Sequence, residues 1–280
     1  MSEEIPRLSP SIAHVMTTEC ALMGWARHRL LGNIIKPPTK SQLDGRMWHA
    51  AIMGEAHDVV RVDADNFKMK DAREARDEAL AEGKIPVAAP VFDSLAPAVD
   101  RIHEELRRYG IDITGATAIE ELLEWSEYAT GGVEVLCSGY LDVRWNFAIR
   151  DLKTGPSCTS VSQAMRQTAD SHSLLQEPAY RRAVAQKHGV DFERTAFEYL
   201  FIQTQEPFCI TPVPVSGQFR AAAEMRWQRA VDLWAECLSN GTDRHHWPGP
   251  QPYNASHRQS IDVPQWTINA EIEMEVAGDE

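Results

Sequence analysis

The stretch from Val133 to Lys153 constrains the fold of this chain more than any other. Gly131-Gly132 signals a turn, and Val133–Trp145 and Phe147–Lys153 then read as two strands of alternating, β-branched and aromatic character. They meet so tightly at Asn146 that the pattern predicts a hairpin with Asn146 and Phe147 as its two-residue loop. In that register Trp145 faces Ala148, and counting outward sets Asp142 opposite Asp151. Opposed residues share a face roughly 4.5–5.5 Å apart, and Lys153 follows on the same face. Two carboxylates held together repel each other. A divalent cation between them removes that cost, and oxygen donors suit Mg²⁺ or Mn²⁺. Water bound to such an ion has a lowered pKa and can attack phosphorus, with a neighbouring lysine offsetting charge on phosphate oxygens. The residues alone leave a second reading open, an exposed strand carrying an ion pair.

The elements around the hairpin are read from periodicity and punctuation. Ser11–Leu31 is predicted as one helix, capped by Ser9 or Ser11 and ended by Lys36-Pro37-Pro38. Further helices are predicted over Ser41–Ala56, Met69–Glu82, Phe92–Tyr109, Gln163–Gln186 with a break near Pro178, and Ala221–Leu238. Strands are expected at Val59–Val62, Phe197–Gln205 and Phe208–Val215, whereas Ile119–Trp125 reads equally as helix or strand. From Trp247 the chain is rich in proline and polar residues, then acidic. Helices, three strands, a helix, two strands and a helix predict an α+β (mixed α/β) fold, a central mixed sheet of about five strands flanked by helices. At 280 residues the chain has ample length for a large core.

Lys and Arg total 28 against 41 Asp and Glu, a formal charge of −13. Such a chain is repelled by nucleic acid at long range, which excludes a basic coating protein but not an enzyme with a local basic patch and a metal ion. No apolar run approaches the roughly 18 residues of a bilayer span, and MSEEIPRLSP lacks the features of a secretory leader, so a cytoplasmic location without membrane contact is expected. Cys20, Cys137, Cys158, Cys209 and Cys237 form no C-x-x-C and read as reduced, mostly buried thiols. Neither a phosphate-binding G-x-x-x-x-G-K-[ST] loop nor a G-x-S-x-G elbow is present.

Asp142 followed by Asp151-x-Lys153 on a hairpin resembles the PD-(D/E)xK nuclease superfamily, whose restriction-endonuclease-like core has the fold class predicted above. Gly45-Arg46-Met47-Trp48-His49 looks like the upstream G-x-x-x-H helix of the RecB-type exonuclease branch, and Gln176-Glu177-Pro178-Ala179-Tyr180 matches its Q-x-x-x-Y helix. Ser9-Pro10-Ser11 with Cys20–Trp25 looks like the N-terminal helix of that branch. Val60-Arg61-Val62-Asp63, the alanine-rich Asp71–Lys84 and Asp151-Leu152-Lys153-Thr154 are similar to the phage and prophage exodeoxyribonuclease VIII (RecE-like) group. The resemblance runs from about Ser9 to the C-terminal helix. It implies one domain across 1–280, with an N-terminal helical elaboration over about 9–110 and a nuclease core over about 111–240.

Carried over residue by residue, the resemblance makes Asp142, Asp151, the Leu152 carbonyl and His49 the metal ligands. It makes Lys153 the catalytic lysine, and Gln176 and Tyr180 the pair that positions the scissile strand. Glu120 or Glu121 would match an acidic position on the first strand. Pro178 departs from an easy helix interior between Gln176 and Tyr180. Some relatives hold an iron–sulfur cluster with one N-terminal and three closely spaced C-terminal cysteines. Cys20 stands near the front but Cys237 is alone at the back, so no cluster is expected. Basic candidates for the phosphate backbone are Arg144 on the hairpin, Arg166 on the next helix, and Arg181 and Arg182 beyond Tyr180. The activity implied is Mg²⁺-dependent cleavage of double-stranded DNA, Mn²⁺ substituting, by a 5′→3′ exonuclease acting at the ends of linear duplexes. A homo-oligomer and a single-strand annealing partner are implied with it. An endonuclease on the same core, or a DNA-binding member without catalysis, are the alternatives.

Overall fold

The structure is a computed structural model and describes residues 4–34, 37–169 and 171–250. The acidic end of the chain predicted beyond Trp247 lies largely outside the described residues. Ser9 caps α1 (Pro10–Thr18), its hydroxyl accepting from the Ile12 amide, with Pro10 in the first turn. The single helix expected over Ser11–Leu31 is instead two, α1 and α2 (Ala21–Arg27), with Cys20 extended between them. Thr17 and Thr18 explain the break: their hydroxyls bond back to the Ala13 and His14 carbonyls at the end of α1, where β-branched residues are poor helix formers.

Thr39 and Gln42 form a reciprocal capping box for α3 (Lys40–Met53), which ends on Gly54 at φ 80°. β1 (Val59–Val62), α4 (Lys70–Ala81) and β2 (Ile85–Ala88) follow, and β1 and β2 pair in parallel as a separate two-stranded sheet. α5 (Ala89–Arg108) begins directly after β2, with Pro90 in its first turn. β3 (Ala118–Tyr128) resolves the ambiguous segment as a strand and is followed by β4 (Glu134–Trp145) and β5 (Ala148–Gly155). α6 (Val161–Ala169) and α7 (Ser173–His188) cross over to β6 (Ala196–Gln203); β7 (Ile210–Pro214) and α8 (Gly217–Asn240) complete the chain.

The main sheet has five strands in the order β3-β4-β5-β6-β7, with β5 and β6 parallel and every other pair antiparallel. The fold is therefore mixed α+β, as the element order predicts. Helices cover both faces. On one, Leu141, Ile149 and Tyr199 pack with Leu175 and Ala179 of α7, Trp227 and Trp234 of α8, and Ala13 and Met16 of α1. On the other, Val143, Leu152 and Leu200 pack against Ile52 of α3 and Ile102 and Leu106 of α5. Residues N-terminal to β3 thus supply helices to both faces. No helix among the described residues is long and apolar enough to cross a membrane.

Candidate active site

The hairpin takes the register its turn dictates. Trp145 pairs with Ala148, Arg144 with Ile149 and Val143 with Arg150, and Asn146 turns the chain at φ 48°. There the ladder ends, one pair short of Asp142 and Asp151. On its other side β4 pairs Val143 with Ile119 and Leu141 with Glu121, and the pair between them, Asp142 with Glu120, is missing. Glu120 stands at φ 50°, a conformation costly for a residue with a β-carbon. The break has a packing cause. Leu141 belongs to the core on the α7–α8 face and Val143 to the core on the α3–α5 face, although residues two apart in a regular strand share a face. β4 changes faces at Asp142. Freed from both ladders, the Asp142 carboxylate accepts the Leu152 amide at 2.7 Å.

Asp151, 1% exposed, is on the α7 side of β5. Its Oδ2 is held by the Lys153 ammonium, while its Oδ1 has no hydrogen-bond partner. Burial pushes the Asp151 carboxyl up to about 6, opposed by Lys153 and assisted by the Asp142 charge. The Lys153 ammonium also donates to Gln176 Oε1 at 2.9 Å. Gln176 and Tyr180, both buried and one turn apart on α7, face this end of the sheet. The expected break near Pro178 does not occur. The helix predicted over Gln163–Gln186 is instead divided between α6 and α7, and α7 runs unbroken through Pro178.

His49 connects α3 to the hairpin. Its Nδ1 lies 2.8 Å from Glu120 Oε1 and its Nε2 lies 3.1 Å from Asp142 Oδ2. Burial disfavours the imidazolium, but the two carboxylates outweigh it and raise the pKa to about 10. Burial opposes ionisation of Asp142 as well, yet the bond from His49 keeps its carboxyl below the ordinary range. The geometry also chooses between the two glutamates. Glu120 meets His49, whereas Glu121 is bound by Arg144 and Lys187, with His188 beside it. A buried carboxylate with one oxygen unpartnered, beside a second carboxylate and an imidazole, is a donor set suited to a hard divalent cation. Asp142, Asp151, the Leu152 carbonyl and His49 could hold it, with Glu120 in reach of His49.

Three of the four expected DNA-contacting arginines are committed to the interior instead. Arg144 is buried, bound to Glu121 at 3.0 Å and to the Asn146 carbonyl. Arg181 is 2% exposed and spans Glu177 and the carbonyls of Thr195 and Phe192. Arg182 bridges Glu127 and Glu224. Each is paired with a carboxylate in a buried or partly buried setting. Arg166 alone of the four is exposed, on α6.

Sequence reasoning passed over Gly139. A β-carbon there would lie 2.8 Å from Tyr180 Cε1, so this glycine lets the aromatic ring approach β4 closely. A glycine inside a strand was the signal available. A cleft of about 830 Å³ opens beside the site, lined by Asp44, Met47 and Trp48 of α3, Ile85 and Val87 of β2, and Thr154 and Gly155 at the end of β5.

No protein-family model matches the chain, and no curated protein matches its sequence. Among solved structures, a protein of Eubacterium rectale provisionally described as an exonuclease superposes with a TM-score of 0.56. The two are 12% identical over 92% of this chain and 90% of the other, a likeness of fold. A second solved structure, 12% identical over 69% of this chain and 90% of that one, has a TM-score of 0.27, below the level of a shared arrangement.

Proposed function

We propose that the chain is a metal-dependent deoxyribonuclease that hydrolyses phosphodiester bonds at the ends of linear double-stranded DNA. One observation carries the reading: Asp151 is buried with its Oδ2 against the Lys153 ammonium and its Oδ1 without a partner, at the point where the β4–β5 ladder ends one pair short of Asp142. A folded protein leaves such a group unsatisfied at a cost of several kcal/mol unless a ligand satisfies it. The fold shared with the Eubacterium rectale protein supports the same class of chemistry.

Mg²⁺, or Mn²⁺ in its place, would supply Lewis acidity and a water of lowered pKa. The chain's own residues do the rest. Asp142 and Asp151 supply negative charge at the opened end of the hairpin, and the Leu152 amide orients Asp142. Lys153, tethered between Asp151 and Gln176, offers an ammonium to the phosphate oxygens as charge develops on them. His49 holds Asp142 from the α3 side and is itself held by Glu120 of β3. Tyr180, close against Gly139, shapes the wall against which the scissile strand would lie.

The finer reading is a 5′→3′ exonuclease of phage recombination type that leaves a 3′ tail for an annealing partner and works as a homo-oligomer. It rests on the motif resemblance. Digestion of linear against closed circular duplex with Mg²⁺ tests both levels. Loss of linear DNA alone, abolished by EDTA and lowered about 10²–10³-fold by Lys153→Ala, is the expected result. Cutting of the circle would replace the exonuclease with an endonuclease, and no cleavage with either ion would refute the catalytic reading.

A further inference from the structure

Beyond α8 the chain makes one short turn that carries three metal-binding side chains. Asp243 precedes a single 3₁₀ turn, Arg244–His246, in which the His246 amide donates to the Asp243 carbonyl at 3.0 Å. The turn is anchored on both sides. The Trp25 indole donates to the Thr242 carbonyl at 2.7 Å, and the Trp247 indole donates to the Gly241 carbonyl at 3.1 Å. Trp247 is buried and meets Trp234 of α8 edge to face, with ring centroids 5.2 Å apart. The Pro248 carbonyl then accepts the Leu22 amide at 2.9 Å. Gly241 stands at φ 138°, and a β-carbon there would lie 2.6 Å from His246 Cδ2, so glycine lets that imidazole come close against the backbone. Asp243, His245 and His246 each present one ligand atom, and these atoms lie within 4.8 Å of one another. The two imidazole rings are 3.9 Å apart, centroid to centroid.

We propose that Asp243, His245 and His246 bind a transition-metal ion, Zn²⁺ foremost, at a site separate from the candidate active site. The donors select the class of ion. Two imidazole nitrogens and one carboxylate suit Zn²⁺ and its borderline neighbours, whereas Mg²⁺ takes oxygen ligands. Donors about 2.0–2.1 Å from a tetrahedral zinc stand roughly 3.4 Å from one another. With the backbone pinned by two indoles, side-chain rotation is enough to close the cluster to that spacing. Asp243 and His245 are exposed and His246 half-buried, so the ion enters from solvent without opening the fold. Three protein ligands leave the fourth position to water. The bound ion would cross-link the turn whose ends are held by Trp25 of α2 and by Trp247 in the core, bracing the end of α8 against α2. None of α3, β3, β4, β5 or α7 contributes a ligand, so this site stands or falls apart from the nuclease reading.

The test uses the full chain in excess Mg²⁺, titrated with Zn²⁺ and followed by calorimetry and by the ¹⁵N-imidazole NMR signals of its histidines. One equivalent of zinc should shift the ring signals of His245 and His246, which Mg²⁺ alone leaves in place. Asp243→Asn, His245→Ala and His246→Ala should each weaken zinc binding by about 10–100-fold, at least the loss that removing an outer partner of a ligand produces. Asp243→Asn and His245→Ala change exposed side chains and should melt at the temperature of the metal-free parent, showing that the loss is of a ligand and not of the fold. Zinc that shifts only His49, zinc binding that keeps its parental affinity in all three variants, or rings of His245 and His246 that move only at many equivalents would each overturn the proposal.

Discussion

At the scale of single residues, charge placement separates function from architecture. His49 is stabilised as an imidazolium by Glu120 and Asp142. Its folded pKa lies above the unfolded value, so its contribution to stability is complete below about pH 6.5 and is lost as pH rises towards about 10. Thermal denaturation in EDTA should show stability falling across that window, and His49→Gln should flatten the dependence; an unchanged slope would contradict the geometry. Arg181 and Arg166 make the opposite pair. Arg181→Ala removes a partner of Glu177, a carboxylate with no exposure, and should lower stability by about 3–5 kcal/mol in chemical denaturation. Arg166→Ala on exposed α6 should leave stability within about 0.5 kcal/mol yet weaken binding to DNA and lower its salt dependence by about one phosphate contact. Sequence alone could not rank these arginines, since a buried and a solvated guanidinium look the same until the carboxylates around them are known.

At the scale of elements, α7 brings Gln176 to Lys153 of β5 and Tyr180 to Gly139 of β4. Gly139→Ala would drive a methyl group into the Tyr180 ring and should cost about 1–3 kcal/mol in thermal or chemical denaturation, and less when introduced into a Tyr180→Ala background. Full stability in the single variant would show that the ring yields freely. The hairpin was legible because a two-residue turn sets register locally. β2 was not: Ile85-Pro86-Val87-Ala88 is four residues long and contains a proline, and its pairing is with β1, beyond an entire helix. The broken helix over Ser11–Leu31 was misread because an apolar stripe continues across Cys20 while the backbone does not. Pro178 misled in the other direction: the dense burial of α7 holds it helical through the proline.

At the scale of the whole molecule, α3, β3, β4, β5 and α7 each contribute a side chain to one end of a five-stranded sheet. A chain of net charge −13 can approach DNA only by concentrating its cations, and a homo-oligomer with a basic lumen is one arrangement that does so. Light scattering on the purified chain should return a multiple of 31.4 kDa; a monomer at micromolar concentration would remove that element of the proposal. What the sequence determined by itself were the features carried by near neighbours: the hairpin register, the spacing of Asp142, Asp151 and Lys153, the one-turn separation of Gln176 and Tyr180, and the class of fold. Only tertiary structure decided that Glu120 rather than Glu121 meets His49 and that Arg144, Arg181 and Arg182 are spoken for. Turn geometry and strand period act over a few residues and can be counted along a chain. Burial and ion pairing depend on which distant segments share a face, and no count along the chain contains that.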